Sequence, residues 1–187
     1  MKRISILISI LLLTFTSFAQ KVSVNIDKSE LKWTGKKVTG EHWGYIKLKS
    51  GHLVLDDNKI TSGNFIIDMT TINCKDLEDP EWNQKLVGHL ESDDFFSVQK
   101  FSTAKLEIIE SSVFKNGISD VKAKLTIKGI TEPINFKAEK TTNGYSAKII
   151  VDRTEYNVRY GSGKFFESLG DNMIYDDFIL DVKLVIE

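Results

Sequence analysis

The sequence predicts an all-β protein, an antiparallel β-barrel of about eight strands with one short helix. Apolar and polar residues alternate through most of the chain, as in strands that bury one face. Turn signals such as Lys128-Gly129 and Asn143-Gly144 separate the alternating stretches. Closing the sheet into a barrel hides its apolar face and also removes its free edges. A two-sheet sandwich is the alternative, because alternation alone does not distinguish the two arrangements.

The strands follow one another along the chain as stripes of apolar residues. In each stripe every second side chain lies on the same face, which is the two-residue period of a β-strand. The predicted stripes cover residues 22–26, 31–33, 44–55 with a break at 50–51, 65–69, 104–108, 121–127, 134–138, 145–151 and 178–186.

Two segments depart from this alternation. Asp79 is a helix-capping residue type and Pro80 favours the first helical position, so residues 79–91 are predicted to form a short helix. Its apolar face would carry Trp82, Leu86 and Leu90. Residues 161–177 are rich in Gly, Asp and aromatic residues and are predicted to form a long loop.

Residues 1–19 have the layout of a secretory signal peptide. Two basic residues precede an apolar run over residues 4–13, and Ala19 occupies the last position before a predicted cleavage site. The apolar run is short for a bilayer span, and a retained anchor is the alternative. We therefore expect an exported protein, periplasmic or secreted, with no stable membrane insertion and a single domain at residues 20–187.

Composition narrows the classes of function. The formal net charge of the 187 residues is −1, so no clustered positive surface for nucleic acid is expected. Cys74 is the single cysteine and cannot form an internal disulfide. It is predicted to be a small buried residue, with a reactive thiol as the alternative. The oligomeric state stays open, and a homodimer is one option.

Three ordered motifs resemble those of the YceI-like polyisoprenoid-binding proteins. Residues 88–96, GHLESDDFF, are similar to the family signature H-L-x-S-x-D-F-F. Residues 125–134, LTIKGITEPI, resemble its L-T-I-x-G-V-T-x-P-V hairpin, and residues 152–156, DRTEY, resemble its D-R-S/T-x-F/Y segment. The resemblance covers almost all of the chain beyond residue 19.

This resemblance implies an elongated, lipocalin-like exported antiparallel β-barrel that holds a long isoprenoid chain in its interior and catalyses no reaction. The predicted function is to bind and sequester or carry a polyisoprenoid or an isoprenoid quinone, with no cofactor besides that ligand. One alternative is a non-catalytic envelope stress or interaction protein with a collapsed barrel. The other is an enzyme that acts on a lipid or uses a histidine-bound metal.

Inward apolar side chains either fill a barrel as a solid core or line a tunnel for a ligand. A prenyl chain needs only apolar walls, since each buried CH₂ contributes about 0.8 kcal/mol. The predicted lining residues are Trp33, Phe65, Ile67, Phe95, Phe101, Leu106, Leu125, Phe136, Ile149 and Phe178.

Polar candidates give weaker signals. His42, His89 and Glu91 are the residues from which a metal site would be built, but their spacing matches no metal motif. We therefore predict structural histidines and no metal. Asp152 and Arg153 are predicted to form a salt bridge that fixes a loop, with contact between Arg153 and a ligand headgroup as the alternative.

Two catalytic motifs are excluded by the sequence. In Gly161-Ser162-Gly163-Lys164 the residue after the lysine is Phe165, whereas a phosphate-binding loop needs Ser or Thr there. Serine residues lack a credible arrangement with His and Asp, so no catalytic residue is predicted.

Overall fold

The computed structural model describes residues 19–187. The segment 1–18, which holds most of the predicted signal peptide, lies outside the described residues. Within 19–187 the chain forms nine strands, one α-helix and three 3-10 helices. The strands are β1 Gln20–Ser23, β2 Glu30–Lys37, β3 Gly40–Asp56, β4 Lys59–Asp68, β5 Thr103–Ser111, β6 Ile118–Ile127, β7 Ile130–Thr141, β8 Gly144–Asp152 and β9 Ile174–Val185. The helix α1 spans Pro80–Glu91, and the 3-10 helices span Met69–Thr71, Arg153–Tyr156 and Gly170–Asn172.

Strands β2 to β9 close into an antiparallel barrel. The strand order is β3-β2-β9-β8-β7-β6-β5-β4, and β4 pairs back with β3 to complete the circle. The short β1 adds to the last part of β3, where Val22 lies opposite Leu53. The predicted all-β barrel is therefore confirmed, with eight strands in the barrel and one beside it.

The barrel core follows from the two-residue period of the strands. On β6, every second residue from Ser119 to Ile127 is buried while most of those between them are exposed. The predicted break near residue 50 is a bulge rather than an end, because the register of β3 against β4 shifts between Leu48 and Ser50. One long strand therefore spans the whole barrel.

Two predicted hairpins are present. Lys128 and Gly129 join β6 to β7 with φ angles of 50° and 75°, the left-handed pair that a tight hairpin turn requires. Thr142 and Asn143 join β7 to β8, so the Asn143-Gly144 signal also marked a turn correctly. These short connections keep consecutive strands adjacent in the barrel.

The helix begins as predicted but contacts the barrel differently. The Asp79 side chain accepts hydrogen bonds from the backbone N–H groups of Glu81 and Trp82. Leu90 is buried, whereas Trp82 is 62% exposed and does not pack on the barrel as predicted. The reason is that α1 meets the barrel through its last turns. No helix within residues 19–187 is long and apolar enough to cross a membrane.

The predicted loop at 161–177 is wrong at its C-terminal end. A 3-10 helix forms at Gly170–Asn172, and β9 already begins at Ile174, which lies opposite Lys37 of β2. Alternation of Ile174, Asp176 and Phe178 continues the strand, but Asp176 on that face concealed the pattern. The irregular connection is therefore residues 157–173.

Candidate ligand-binding interior

The barrel interior contains two apolar cavities arranged along the barrel axis. The first chamber has a volume of about 80 Å³ and is lined by residues from all eight barrel strands, including Phe65, Leu106 and Ile149. The second chamber has a volume of about 110 Å³ and lies at the end that α1 covers, where Trp33 and Leu90 contribute to its wall. The interior is thus neither a solid core nor one continuous bore.

Four aliphatic side chains line both chambers and form a waist between them. They are Leu31 of β2, Ile67 of β4, Leu125 of β6 and Leu180 of β9. Leu31 and Leu125 are buried, whereas Ile67 and Leu180 are half-buried. A chain-like guest that occupied both chambers would have to pass between these four side chains.

Nine of the ten predicted lining residues contact a chamber. The first chamber contacts Phe65, Ile67, Leu106, Leu125, Phe136 and Ile149, and the second contacts Trp33, Ile67, Leu125, Phe95 and Phe178. Phe101 lines neither chamber, because the segment before β5 directs its ring toward the turn at Gly129. The sequence did not identify Leu31 or Leu180 of the waist, although both belong to apolar stripes.

Aromatic rings close the second chamber beneath α1. Phe95 is buried and Phe96 half-buried, with ring centroids 5.0 Å apart. The Phe178 ring lies 6.3 Å from that of Phe96. His89 packs edge-on against Tyr160 at 4.4 Å, and its Nε2 atom is buried with no hydrogen-bond partner in the described chain. His89 therefore acts in packing here.

Arg153 anchors the rim of the second chamber from inside. It is 2% exposed, and its guanidinium donates to the backbone carbonyls of Val158, Ile174 and Tyr175 at 2.8–3.1 Å. Its carboxylate neighbour is Asp176, at 3.6 Å. Arg153 thereby fixes the irregular segment 157–173 to the start of β9.

The predicted Asp152–Arg153 salt bridge is wrong, because each of the two residues pairs with a different partner. The Asp152 carboxylate caps the 3-10 helix at Thr154 and pairs with Lys164 Nζ at 2.5 Å. Burial raises the pKa of Asp152, but the hydrogen bonds from Lys164 and Thr154 outweigh it and the net shift is downward. Asp152 ends β8 with a partly exposed side chain, whereas Arg153 begins the 3-10 helix and is buried, so the two neighbours reach different partners.

The barrel wall is split between β7 and β8. Their ladder joins only Ala138–Thr141 to Gly144–Ala147, next to the hairpin turn. Within the described chain, no ladder pairing joins residues 130–137 of β7 to residues 148–152 of β8. We call this gap the slot. Its side chains Ile134 and Phe136 are only half-buried although they line the first chamber.

The ends of the slot are tied together. The β7–β8 turn closes one end, and at the other Lys128 Nζ donates to the carbonyl of Asn157 at 3.1 Å. Tyr156 lies in the 3-10 helix at that second end, 1% exposed, and its hydroxyl has no hydrogen-bond partner in the described chain. Burial raises the pKa of Tyr156 to about 12, with a further contribution from Glu132.

The sequence carries one signal for the slot. Pro133 lies within β7, opposite Lys124 of β6. Proline has no backbone N–H and is found in strands that lack a neighbour on one side. Pro133 therefore marks β7 as a strand with an unpaired edge along this stretch.

His42 does not lie near His89 and Glu91, the other two residues that the sequence offered as candidate metal ligands. Instead, His42 Nδ1 lies 2.7 Å from Asp76 Oδ2, and the buried Cys74 thiol donates to Asp76 Oδ1 at 3.3 Å. Burial raises the pKa of the Cys74 thiol. Burial also raises the pKa of Asp76, but hydrogen bonds from the Trp43 N–H and His42 outweigh it, so the net shift is downward.

Comparison with known proteins gives one family and several structural relatives. The sequence model of the YceI-like domain matches residues 22–186. A UPF0312 protein of Vibrio parahaemolyticus serotype O3:K6 is 29% identical over 106 residues, which is 52% of this chain and 52% of that protein. The alignment therefore spans about half the length of this curated relative.

Two solved structures have a similar fold. Burkholderia cenocepacia BcnA has a TM-score of 0.69 and 22% identity, with 87% of this chain and 98% of that chain covered. A polyisoprenoid binding domain from Saccharophagus degradans has a TM-score of 0.60 and 15% identity, with coverages of 89% and 97%. At these identities the likeness shows the fold.

Proposed function

Because the chain belongs to the YceI-like family, we propose that it binds a long hydrophobic ligand inside the barrel and sequesters or carries it. The ligand class that we propose is a polyisoprenoid or an isoprenoid quinone. The observation that carries this proposal is the pair of apolar chambers in line along the barrel axis, joined at a waist of aliphatic side chains. A similar fold occurs in a protein described as a polyisoprenoid binding domain.

Hydrophobic transfer alone supplies enough free energy for such a ligand. At about 0.8 kcal/mol per buried CH₂, one five-carbon isoprene unit contributes about 4 kcal/mol. Both chambers are smaller than the roughly 300 Å³ at the lower end of small-molecule pockets. A long chain therefore binds only if the half-buried Ile67 and Leu180 move apart and join the two chambers.

The slot is the access route that we propose for the ligand. Opening between β7 and β8 breaks no ladder hydrogen bonds along residues 130–137, whereas opening between β6 and β7 or between β8 and β9 would. Ile134 and Phe136 at its edge already contact both solvent and the first chamber. An apolar chain can therefore enter from the side of the barrel.

We further propose that the protein acts without bond making and is exported, to the periplasm or outside the cell. Sequestration needs only exclusion of water from an apolar chain, which the apolar chamber walls provide. Export is supported by the signal-peptide pattern of residues 1–19.

Binding is tested with protein purified from its native host and with delipidated protein offered a long-chain prenyl quinone. Native mass spectrometry and organic extraction should detect one apolar guest per barrel. Leu180→Phe narrows the waist and should weaken uptake of the long chain, while Ile150→Phe adds the same ring on the exposed outer face and should not. Repeated isolation without lipid, together with no quinone uptake, would support the collapsed-barrel alternative.

Access is tested by the rate of uptake. Ala147 of β8 is half-buried and lines the first chamber beside the slot. Ala147→Phe should slow uptake of the prenyl quinone by about tenfold or more, while Ile150→Phe on the same strand leaves the rate unchanged. Equal rates for both variants would show that the ligand enters elsewhere, and would leave binding itself unaffected.

A further inference from the structure

Three side chains with metal-ligating atoms converge outside the barrel interior. They are the His42 imidazole, the Cys74 thiol and the Asp76 carboxylate, and one ligand atom from each lies within 4.8 Å of the others. The His42 Nδ1–Asp76 Oδ2 distance is 2.7 Å and the Cys74 Sγ–Asp76 Oδ1 distance is 3.3 Å. Among the described residues, this is the single group of three such side chains.

The backbone holds these three residues together. The segment that follows β4 runs alongside the start of β3, where Asn73 N–H donates to the Tyr45 carbonyl and Lys75 N–H donates to the Trp43 carbonyl. Gly44 permits this approach, because a Cβ there would collide with the Asn73 carbonyl. The positions of His42, Cys74 and Asp76 are therefore set by main-chain contacts rather than by the cluster alone.

We propose that His42, Cys74 and Asp76 form a binding site for a divalent transition-metal ion, with Zn²⁺ as the best match. Nitrogen, sulfur and carboxylate oxygen are the ligand types that zinc combines, whereas magnesium and calcium require oxygen ligands. Ligands around a tetrahedral zinc ion lie about 3.3–3.8 Å apart, so the present separations need only small side-chain rotations. Water completes the fourth position.

A metal ion can reach the cluster from solvent, and the proton released on binding has a route out. The side chains of His42 and Asp76 are 29% and 21% exposed, so an ion arrives from solvent while the thiol stays buried. Binding converts the Cys74 thiol to a thiolate, and its proton leaves to solvent. Asp76 keeps one oxygen for the Trp43 N–H, at 2.7 Å, and turns the other toward the ion.

A bound metal ion would restrict the movement of α1 and the segment before it, which cover the second chamber. Asn83 of α1 donates to the carbonyls of Cys74 and Leu77 at 3.1 and 2.9 Å. Trp33, in the wall of that chamber, donates its indole N–H to the Asn73 carbonyl at 2.9 Å. The ion would therefore fix the segment that carries α1 and contacts the chamber wall.

The test titrates reduced, metal-free protein with Zn²⁺ alone and, separately, with Co²⁺. We expect one Zn²⁺ per chain, a Zn–S distance of about 2.3 Å in X-ray absorption and a thiolate-to-cobalt charge-transfer absorption band. Cys74→Ser should abolish the charge-transfer band, and Cys74→Ser and His42→Gln should each weaken Zn²⁺ affinity by about 10–100-fold or more.

The matched control is His52→Gln, which removes a histidine from the same strand outside the cluster. Its Zn²⁺ affinity and cobalt spectrum should equal those of the unchanged protein. Circular dichroism of each variant confirms that it is folded. The proposal fails if stoichiometric binding is absent, or if Cys74→Ser binds the ion with unchanged affinity and spectrum, since His42, Cys74 and Asp76 would then form a hydrogen-bonded network only.

Discussion

Two walls of this barrel, formed by β6 and by β7, share the same alternation of apolar and polar residues but differ in strand pairing. Strand β6 pairs along its whole length with β7 and over most of its length with β5, and its inward residues are buried. Strand β7 pairs with β6 over residues 130–139 but with β8 only near their turn, and its inward Ile134 and Phe136 stay half-buried. Alternation therefore determines which face of a strand points inward, while pairing along both edges of the strand determines whether the side chains on that face are fully buried.

The first prediction removes the buried anchor that holds segment 157–173 to β9 and has the largest expected effect. Arg153→Met would leave the carbonyls of Val158, Ile174 and Tyr175 without their donor, and Asp176 without its counter-charge. Removing one partner from a buried charged network costs about 3–5 kcal/mol. Urea unfolding should show this loss.

Lys164→Met is the control for that prediction. It removes a cation from the same cluster, but the Lys164 side chain is half exposed and solvent screens its ion pair, so the loss of stability should be much smaller than for Arg153→Met. Equal losses for the two variants would contradict the role assigned to Arg153.

The second prediction compares the two walls by making the same Ile-to-Ala change in each. Ile108 of β5 and Ile134 of β7 both line the first chamber, but Ile108 is 5% exposed and Ile134 is half-buried. Ile108→Ala should lower the free energy of unfolding by about 2–5 kcal/mol, and Ile134→Ala by about half of that or less. The measurement is again urea unfolding, and a larger loss for Ile134→Ala would show that the slot is closed in solution.

The third prediction concerns Tyr156, which is buried at the end of the slot where Lys128 contacts Asn157. Because burial raises the pKa of Tyr156 to about 12, the folded protein favours the neutral phenol. That contribution is fully present below about pH 10 and is lost as the pH rises toward 12, by about 1.4 kcal/mol per pH unit. Tyr156→Phe should therefore lose less stability between pH 7 and pH 11.

At pH 7 the same variant should differ little from the unchanged protein, since the Tyr156 hydroxyl has no hydrogen-bond partner in the described chain. An identical alkaline loss in both proteins would mean that water reaches this hydroxyl. Tyr156 would then be in contact with solvent at its end of the slot.

The barrel itself was predictable from residue patterns, because local signals and strand pairing agree there. The hairpin turn Lys128-Gly129 and the Asp79-Pro80 helix start follow from backbone chemistry that a sequence displays directly. Trp82 was assigned wrongly because helical periodicity shows which residues share a face and not how far the helix overlaps its neighbour.

The interior was predictable in part. Stripe membership placed eight of the ten proposed lining residues at a chamber, while Phe95 and Phe101 lie in an irregular segment where no two-residue period applies, and of these two only Phe95 contacts a chamber. The exchange of partners among Asp152, Arg153, Lys164 and Asp176 depends on contacts between distant segments. The His42–Cys74–Asp76 cluster likewise arises from main-chain pairing across some thirty residues of sequence separation.

The placement of the tryptophans gives the molecule a built-in optical reporter. Of the three tryptophans, Trp33 is 8% exposed in the wall of the second chamber, Trp43 is half-buried on β3 and Trp82 is 62% exposed on α1. An aqueous quencher therefore removes the fluorescence of Trp82 and leaves that of Trp33. A guest that reaches the second chamber would change this shielded emission without any added label.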